Sequence, residues 1–155
     1  MNNIVMMRGR AMNRIMRPGI NPTVKKPGFP IPVPFLGPEL IVNGLFAVDS
    51  DWDLGRGWSI SGGKARCDGT QPGATYLSQT TPAVIGSLVE ATFTIEDYVQ
   101  GAIVGTVGSN GGVSRARNGT FSQQVIVEDN SIVTAYANEF FVGSVSLVSL
   151  KEVLS

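Results

Sequence analysis

The sequence predicts an all-β antiparallel sandwich behind an extended, basic N-terminal arm, and three observations carry that prediction. Between residues 88 and 98, Val89, Ala91, Phe93 and Ile95 alternate with Glu90, Thr92, Thr94 and Glu96, the period of a half-buried strand. Around it, short β-branched and aromatic runs are punctuated by Gly62-Gly63, Asp68-Gly69, Pro72-Gly73, Asn110-Gly111-Gly112 and Asn118-Gly119, pairs that tolerate positive φ in turns. Upstream, seven of the nine prolines fall at positions 18, 22, 27, 30, 32, 34 and 38. That density excludes a helix or an inner strand from residues 18–38.

Taken in order, the chain divides into an arm, residues 1–38, and a β domain, residues 39–155. Ile4, Met7, Ala11, Met12, Ile15 and Met16 recur at helical spacing among Arg8, Arg10, Arg14 and Arg17, which reads as a short basic amphipathic helix. The connector after it carries Lys25, Lys26, Phe29 and Phe35 between its prolines. In polyproline geometry its 21 residues reach about 60 Å. In the β domain, strands are expected over residues 39–46, 57–60, 64–67, 75–80, 88–98, 102–107, 120–127, 131–137 and 144–152, and no stretch shows a helical period. About nine short strands fit two packed antiparallel sheets.

Composition narrows the chemistry. The 155 residues include no histidine and one cysteine, Cys67, which removes the commonest general base and metal ligand and any intrachain disulfide. The 12 basic and 12 acidic residues cancel in total. Their distribution does not cancel: Arg8, Arg10, Arg14, Arg17, Lys25 and Lys26 precede the first acid, Glu39, so the arm is cationic and the domain anionic by the same six charges. The longest apolar run of the first seventeen residues, Ile4 to Met7, is far shorter than the core of a secretory signal, and no segment approaches a membrane span. An organelle presequence, a membrane-surface helix and a functionless tail compete with a docking arm. The docking arm is preferred, because a partnerless tail has little reason to combine apolar periodicity, four arginines and a stiff spacer.

Candidate site residues are few. Asp49, Asp51 and Asp53 alternate as in a calcium loop, but Leu54 and Ile60 stand where an EF-hand needs Gly and a bidentate acid, so a solvated turn is the preferred reading and no metal ligand is assigned. Trp52, Trp58, Tyr76, Tyr98 and Tyr136 are candidates for stacking on a sugar ring, Trp52, Trp58 and Tyr76 foremost, with core packing as the competing role for the tryptophans. Cys67 reads as a small buried residue, since nothing here activates it. The glycines from Gly101 to Gly112 lack the Lys-Ser/Thr of a phosphate loop. Asn118-Gly-Thr120 is better read as a hairpin turn than as a glycosylation acceptor, and Arg115 and Arg117 as a solvated pair. No catalytic residue and no cofactor are assigned. Nucleic acid is disfavoured, because the arm has only Phe29 and Phe35 for stacking and the domain would repel phosphates.

The stretch Glu39-Leu-Ile-Val-Asn-Gly-Leu-Phe46, then Trp52, then Gly57-Trp-Ser-Ile-Ser-Gly-Gly-Lys-Ala65 resembles the opening of a carbohydrate-binding-module-like jelly roll common in bacteriophage tail, fibre and head-surface proteins. Leu77-Ser-Gln79, the strand ending at Tyr98, Asn118-Gly-Thr-Phe121 and the close from Phe141 to Val153 follow in that family's order. The resemblance covers roughly residues 39–153. One departure matters: the family's closing Ile-Asp-Asn-Val-Ser-Val pattern is here Val145-Ser146-Leu147-Val148-Ser149-Leu150, without the carboxylate and amide that would suit a hard cation. The resemblance implies a jelly-roll-like sandwich and a place in a virion, on the capsid surface or tail. The function expected is a non-enzymatic structural subunit, a capsid decoration or cement protein held to the major capsid protein or neighbouring virion subunits by its arm, and forming a homotrimer. The alternative is a glycan-binding module for adhesion to a host surface.

Overall fold

A computed structural model describes Gly28 and residues 32–155; the expected helix and the arm residues Ile4, Met7, Arg8, Arg10, Arg14, Arg17, Lys25, Lys26 and Phe29 lie outside the described residues. The β unit runs Val33–Ser155. Its strands are β1 (Phe35–Glu39), β2 (Asp53–Leu54), β3 (Trp58–Ser61), β4 (Lys64–Cys67), β5 (Thr75–Thr80), β6 (Leu88–Gln100), β7 (Ile103–Val107), β8 (Asn110–Gly111), β9 (Gly119–Ile126), β10 (Ile132–Ala137) and β11 (Val142–Leu154). One sheet has the order β3-β4-β11-β6-β9 with β1 also on β11; the other is β2-β5-β10-β7-β8, and every pairing is antiparallel. From β4 to β7 and from β8 to β11 the chain changes sheet at each step, the winding of a jelly-roll-like sandwich.

Two long strands, β6 and β11, form the spine of the larger sheet. Alternation along β6 buries Val89, Phe93 and Ile95, and β11 answers with Val145, Val148 and Leu150. The smaller sheet supplies Leu77, Ile103, Val107, Val133 and Ala135 from the other side. Burying each large apolar chain contributes roughly 1.5–3 kcal/mol before entropy is counted, so this seam is what holds the sheets face to face. Where two sheets approach closely, Gly105 is required: a Cβ there would lie 2.7 Å from the Phe93 ring.

Two expectations need correction. The expected strand over residues 39–46 ends at Glu39, and residues 40–46 are not a strand. After Glu39 the backbone bends, with positive φ at Asn43 and Phe46, and drops Ile41 and the fully buried Phe46 into the core. A bulky residue at positive φ is costly; here the Phe46 ring packs against Trp52 at 5.3 Å between centroids. The segment's polar groups are satisfied by single backbone bonds, Leu40 donating to Leu150 and Gly44 accepting from Val148, and by side chains, in place of a continuous ladder. Glu39 accepts from the Ile41 and Leu150 amides, and Gln79 brackets the Val42 backbone.

The start of the domain moves as well. Residues 35–38, counted with the arm, join Glu39 in β1 on the free edge of the C-terminal half of β11. Among the described residues of the stretch 18–38, the one strand is β1, and it is an outer one, as its proline requires. The register is irregular between Leu36 and Glu39, so Pro38 falls where a missing N–H breaks no ladder.

Candidate partner-binding surfaces

The expected site residues separate in the structure. Phe35 is 74% exposed on β1. Trp58, at the start of β3, is buried against Phe141 with ring centroids 6.1 Å apart; it belongs to the core and is withdrawn as a sugar platform. Trp52 is half-buried over Phe46, and its Nε1–H donates to the Asn43 carbonyl at 3.1 Å, so its polar edge serves the loop. Tyr98 also turns inward, stacking near Phe141 and donating its hydroxyl to the Gly101 carbonyl.

Tyr76 is different. It stands half exposed on β5, directly opposite the equally exposed Tyr136 of β10, a register that places Cβ atoms about 5 Å apart. Val104 of β7 continues that row. In the next row of the same outer face, Asp53, Ser78, Thr134 and Thr106 lie opposite one another across β2, β5, β10 and β7. An open depression of about 320 Å³, lined in part by Arg56, Gln71, Pro72 and Gly73, borders Tyr76. Ser78 is buried in that row, so the aromatic faces with Asp53, Thr134 and Thr106 are what can offer stacking and hydrogen bonds to a polyhydroxylated ligand. Both tyrosines are sequence candidates by residue type alone, and the register makes them neighbours.

The larger sheet's outer face is polar and largely self-satisfied. Thr92 bonds Ser122 at 2.7 Å, Thr94 bonds Thr120 at 2.8 Å, and Ser149 donates to Glu39 at 2.6 Å. Lys64 bridges Glu96 at 2.6 Å and Asp97 at 3.0 Å. Hydrogen bonding from Lys64 holds both carboxyls below their usual range and raises the lysine in return. The ion pair is solvent-exposed, and such pairs stabilise little.

At the edge between the sheets, the Arg115 and Arg117 guanidiniums lie 4.5 and 5.7 Å from the Phe121 centroid. The pair expected to be merely solvated therefore covers an aromatic that packs on Phe93.

Cys67 is buried, and its thiol donates to the Gln71 side-chain oxygen at 3.4 Å. Burial pushes the thiol up from its ordinary value, so it stays protonated at neutral pH and is a poor nucleophile. The native protein is expected to be nearly inert to a thiol-reactive chromophore at pH 7.5 and to react stoichiometrically once unfolded in urea; rapid native labelling would refute the assignment. Among the described residues, no three His, Cys, Asp or Glu side chains are grouped to hold a metal ion; Asp49 and Asp51 lie in a bend in which Ser50 donates to Asp51, whereas Asp53 opens β2 instead of continuing the turn. No described helix is long and apolar enough to cross a membrane.

The strongest feature not foreseen is one end of the sandwich. There β1 begins, β11 ends, β6 begins and β9 ends, as the pairs Phe35–Leu154 and Leu88–Ile126 show, and the loop from β5 to β6 crosses over with Val84 and Ile85 exposed. An apolar turn, Pro82-Ala-Val-Ile-Gly86, was its visible signal.

No protein-family model matches the chain. No curated protein matches it either.

Proposed function

We propose that the chain is a non-enzymatic structural subunit of a bacteriophage virion, a decoration or cement protein whose N-terminal arm anchors a jelly-roll-like body to the shell formed by the major capsid protein. The observation that carries this reading is the division of charge. All acids lie in or after β1, while residues 1–32 hold six cations and no acid. A cationic arm with apolar side chains at helical spacing suits a protein surface offering carboxylates and grooves. The way the arm joins the body supports the same reading. The chain enters through β1, laterally bonded to β11, and Glu39 ties the end of that strand to the Leu150 amide at 2.7 Å and to Ser149. A pull on the arm is thus shared with the central strand of the larger sheet. Many copies on one particle then add modest contacts into high occupancy.

Particles of the parent phage stripped of this subunit are the test. Full-length protein is expected to restore saturated binding, whereas residues 33–155 should keep their β-sheet circular dichroism and lose essentially all occupancy. Full occupancy by the truncated chain would end the attachment reading.

A second reading is favoured by the Tyr76–Tyr136 pair and the adjoining Asp53, Thr134 and Thr106: the outer face of the smaller sheet binds a host-surface glycan. A glycan array is expected to give binding that Tyr76→Ala or Tyr136→Ala each weakens by about tenfold or more. A silent array removes this reading without touching the first.

A further inference from the structure

The two ends of the sandwich are finished differently. At the end holding Trp58, Tyr98 and Phe141, those three rings are packed together and loop carbonyls are capped, as where Gln71 donates to the Asn138 and Phe141 oxygens, with Val99 and Phe140 exposed beside them. The opposite end exposes Phe35, Val84, Ile85, Leu88, Ile126 and Leu154, with exposures from 38 to 74%. A cluster of this kind marks an interaction surface on a soluble domain. Acids stand beside it: Glu128 and Asp129 follow Ile126 by two and three positions, and Glu152 immediately precedes Val153 and Leu154. Among the described residues, neither Glu128 nor Glu152 is paired with a cation within 4 Å.

An apolar surface with spare carboxylates calls for an occupant that is apolar and cationic. Residues 4–17 of this chain fit that description, with Ile4, Met7, Ile15 and Met16 interleaved with Arg8, Arg10, Arg14 and Arg17 and no acid among them. The proline-rich residues between them and β1 favour extended geometry, which suits reaching a neighbour better than folding back on the same body. We infer that the apolar end of the sandwich is the docking site for residues 4–17 of a second copy of this chain. The inference rests on the docking-arm reading above and names the arm's partner: body and arm of successive subunits interlock, while the proline-rich connector spans the interval between them. In this arrangement the opposite charges of the two parts attract between copies, and a protein of zero net charge in total has no overall repulsion to overcome.

The full-length chain tests this without any particle. Sedimentation velocity is expected to show concentration-dependent self-association that weakens as salt is raised. Replacing Val84 and Ile85 by Glu should weaken it by about a hundredfold, while the far-UV spectrum stays native, because both side chains are exposed. For geometry, Met7→Cys protein is mixed with Ile85→Cys protein and treated with a short bismaleimide; Cys67 is buried. A product joining the two variants is expected, and the doubly substituted chain at high dilution should yield no internal product. A chain that stays monomeric, association indifferent to the Glu substitutions, or an internal cross-link at high dilution would each overturn the inference. A monomeric chain that nevertheless needs its arm to decorate particles would overturn interlocking alone, and an interlocking chain that decorates without its arm would overturn attachment alone.

Discussion

Phe141→Ala is expected to lower the unfolding free energy by about 3–5 kcal/mol, the range for removing a fully buried phenylalanine. Phe141 is completely buried just before β11 and sits between Trp58 of β3 and Tyr98 of β6. One ring therefore joins the first hairpin of the larger sheet to its spine. Its backbone is used too: the amide donates to Asn138 at 3.1 Å and the carbonyl accepts from Gln71 at 2.9 Å. Gly101 lies so close that a Cβ there would strike the Phe141 backbone, so neighbouring chain has little freedom to collapse into the cavity. With stabilities of single domains near 5–15 kcal/mol, the loss should shift thermal unfolding by roughly 10–25 °C. Phe140→Ala is the internal control. Phe140 is 59% exposed, and its removal should cost no more than about 0.5 kcal/mol. Equal shifts for the two variants, measured by circular dichroism, would show that the ring does not join these strands.

Position 141 shows what local pattern can and cannot reveal. The dipeptide Phe140-Phe141 offers no alternation that says which ring goes in; the answer comes from β3 and β6, remote in the chain. Where one face of a strand is buried and the other is wet, the period is enough, and β4, β5 and most of β6 lie where alternation and flanking turns put them. The pairs Asp53–Leu54 and Asn110–Gly111 are too short to show any period. β1 was hidden for another reason. Its proline and glycine argue against a strand, and pairing exists only because β4 covers just the N-terminal half of β11 and leaves the other half free. The candidate surfaces follow the same rule. The cationic arm is read directly from charge order, whereas the tyrosine pair needs a register and the apolar end needs four strand termini brought to one place. Trp52 and Trp58 look alike in sequence, yet their roles differ because β3 faces the core and the loop before β2 only covers it.

The misread segment, residues 39–46, leads to the second large effect. Gln79→Ala should destabilise by about 2–3 kcal/mol, because a buried side chain that satisfies several backbone groups is removed at once. The Gln79 side chain accepts from the Val42 amide at 2.8 Å and donates to the Val42 carbonyl at 2.9 Å and the Asp51 carbonyl at 2.7 Å. It thereby supplies, across 37 positions of sequence, the partners of Val42, which lies between the bonds that Leu40 and Gly44 make to β11. Released from it, the loop would loosen around Trp52, whose Nε1 bonds to Asn43, so the native tryptophan emission should shift to the red even below the melting temperature. Gln79→Glu separates hydrogen bonding from packing. A carboxylate keeps the volume but points negative charge at two carbonyl oxygens, so its folded-state pKa is raised above the unfolded value. The sign follows from proton binding: around neutral pH the folded state would bind more protons than the unfolded one, and stability must rise as the pH is lowered toward the unfolded carboxyl range. At pH 7 the Glu variant should therefore be at least as unstable as Ala, and on acidification it should recover relative to both Ala and wild type. Urea titrations of the three proteins from pH 7 to pH 5 decide the matter. A Glu variant that follows wild type at every pH would mean that water, not Gln79, satisfies the Val42 and Asp51 backbone, and that some other contact holds the loop against the sandwich.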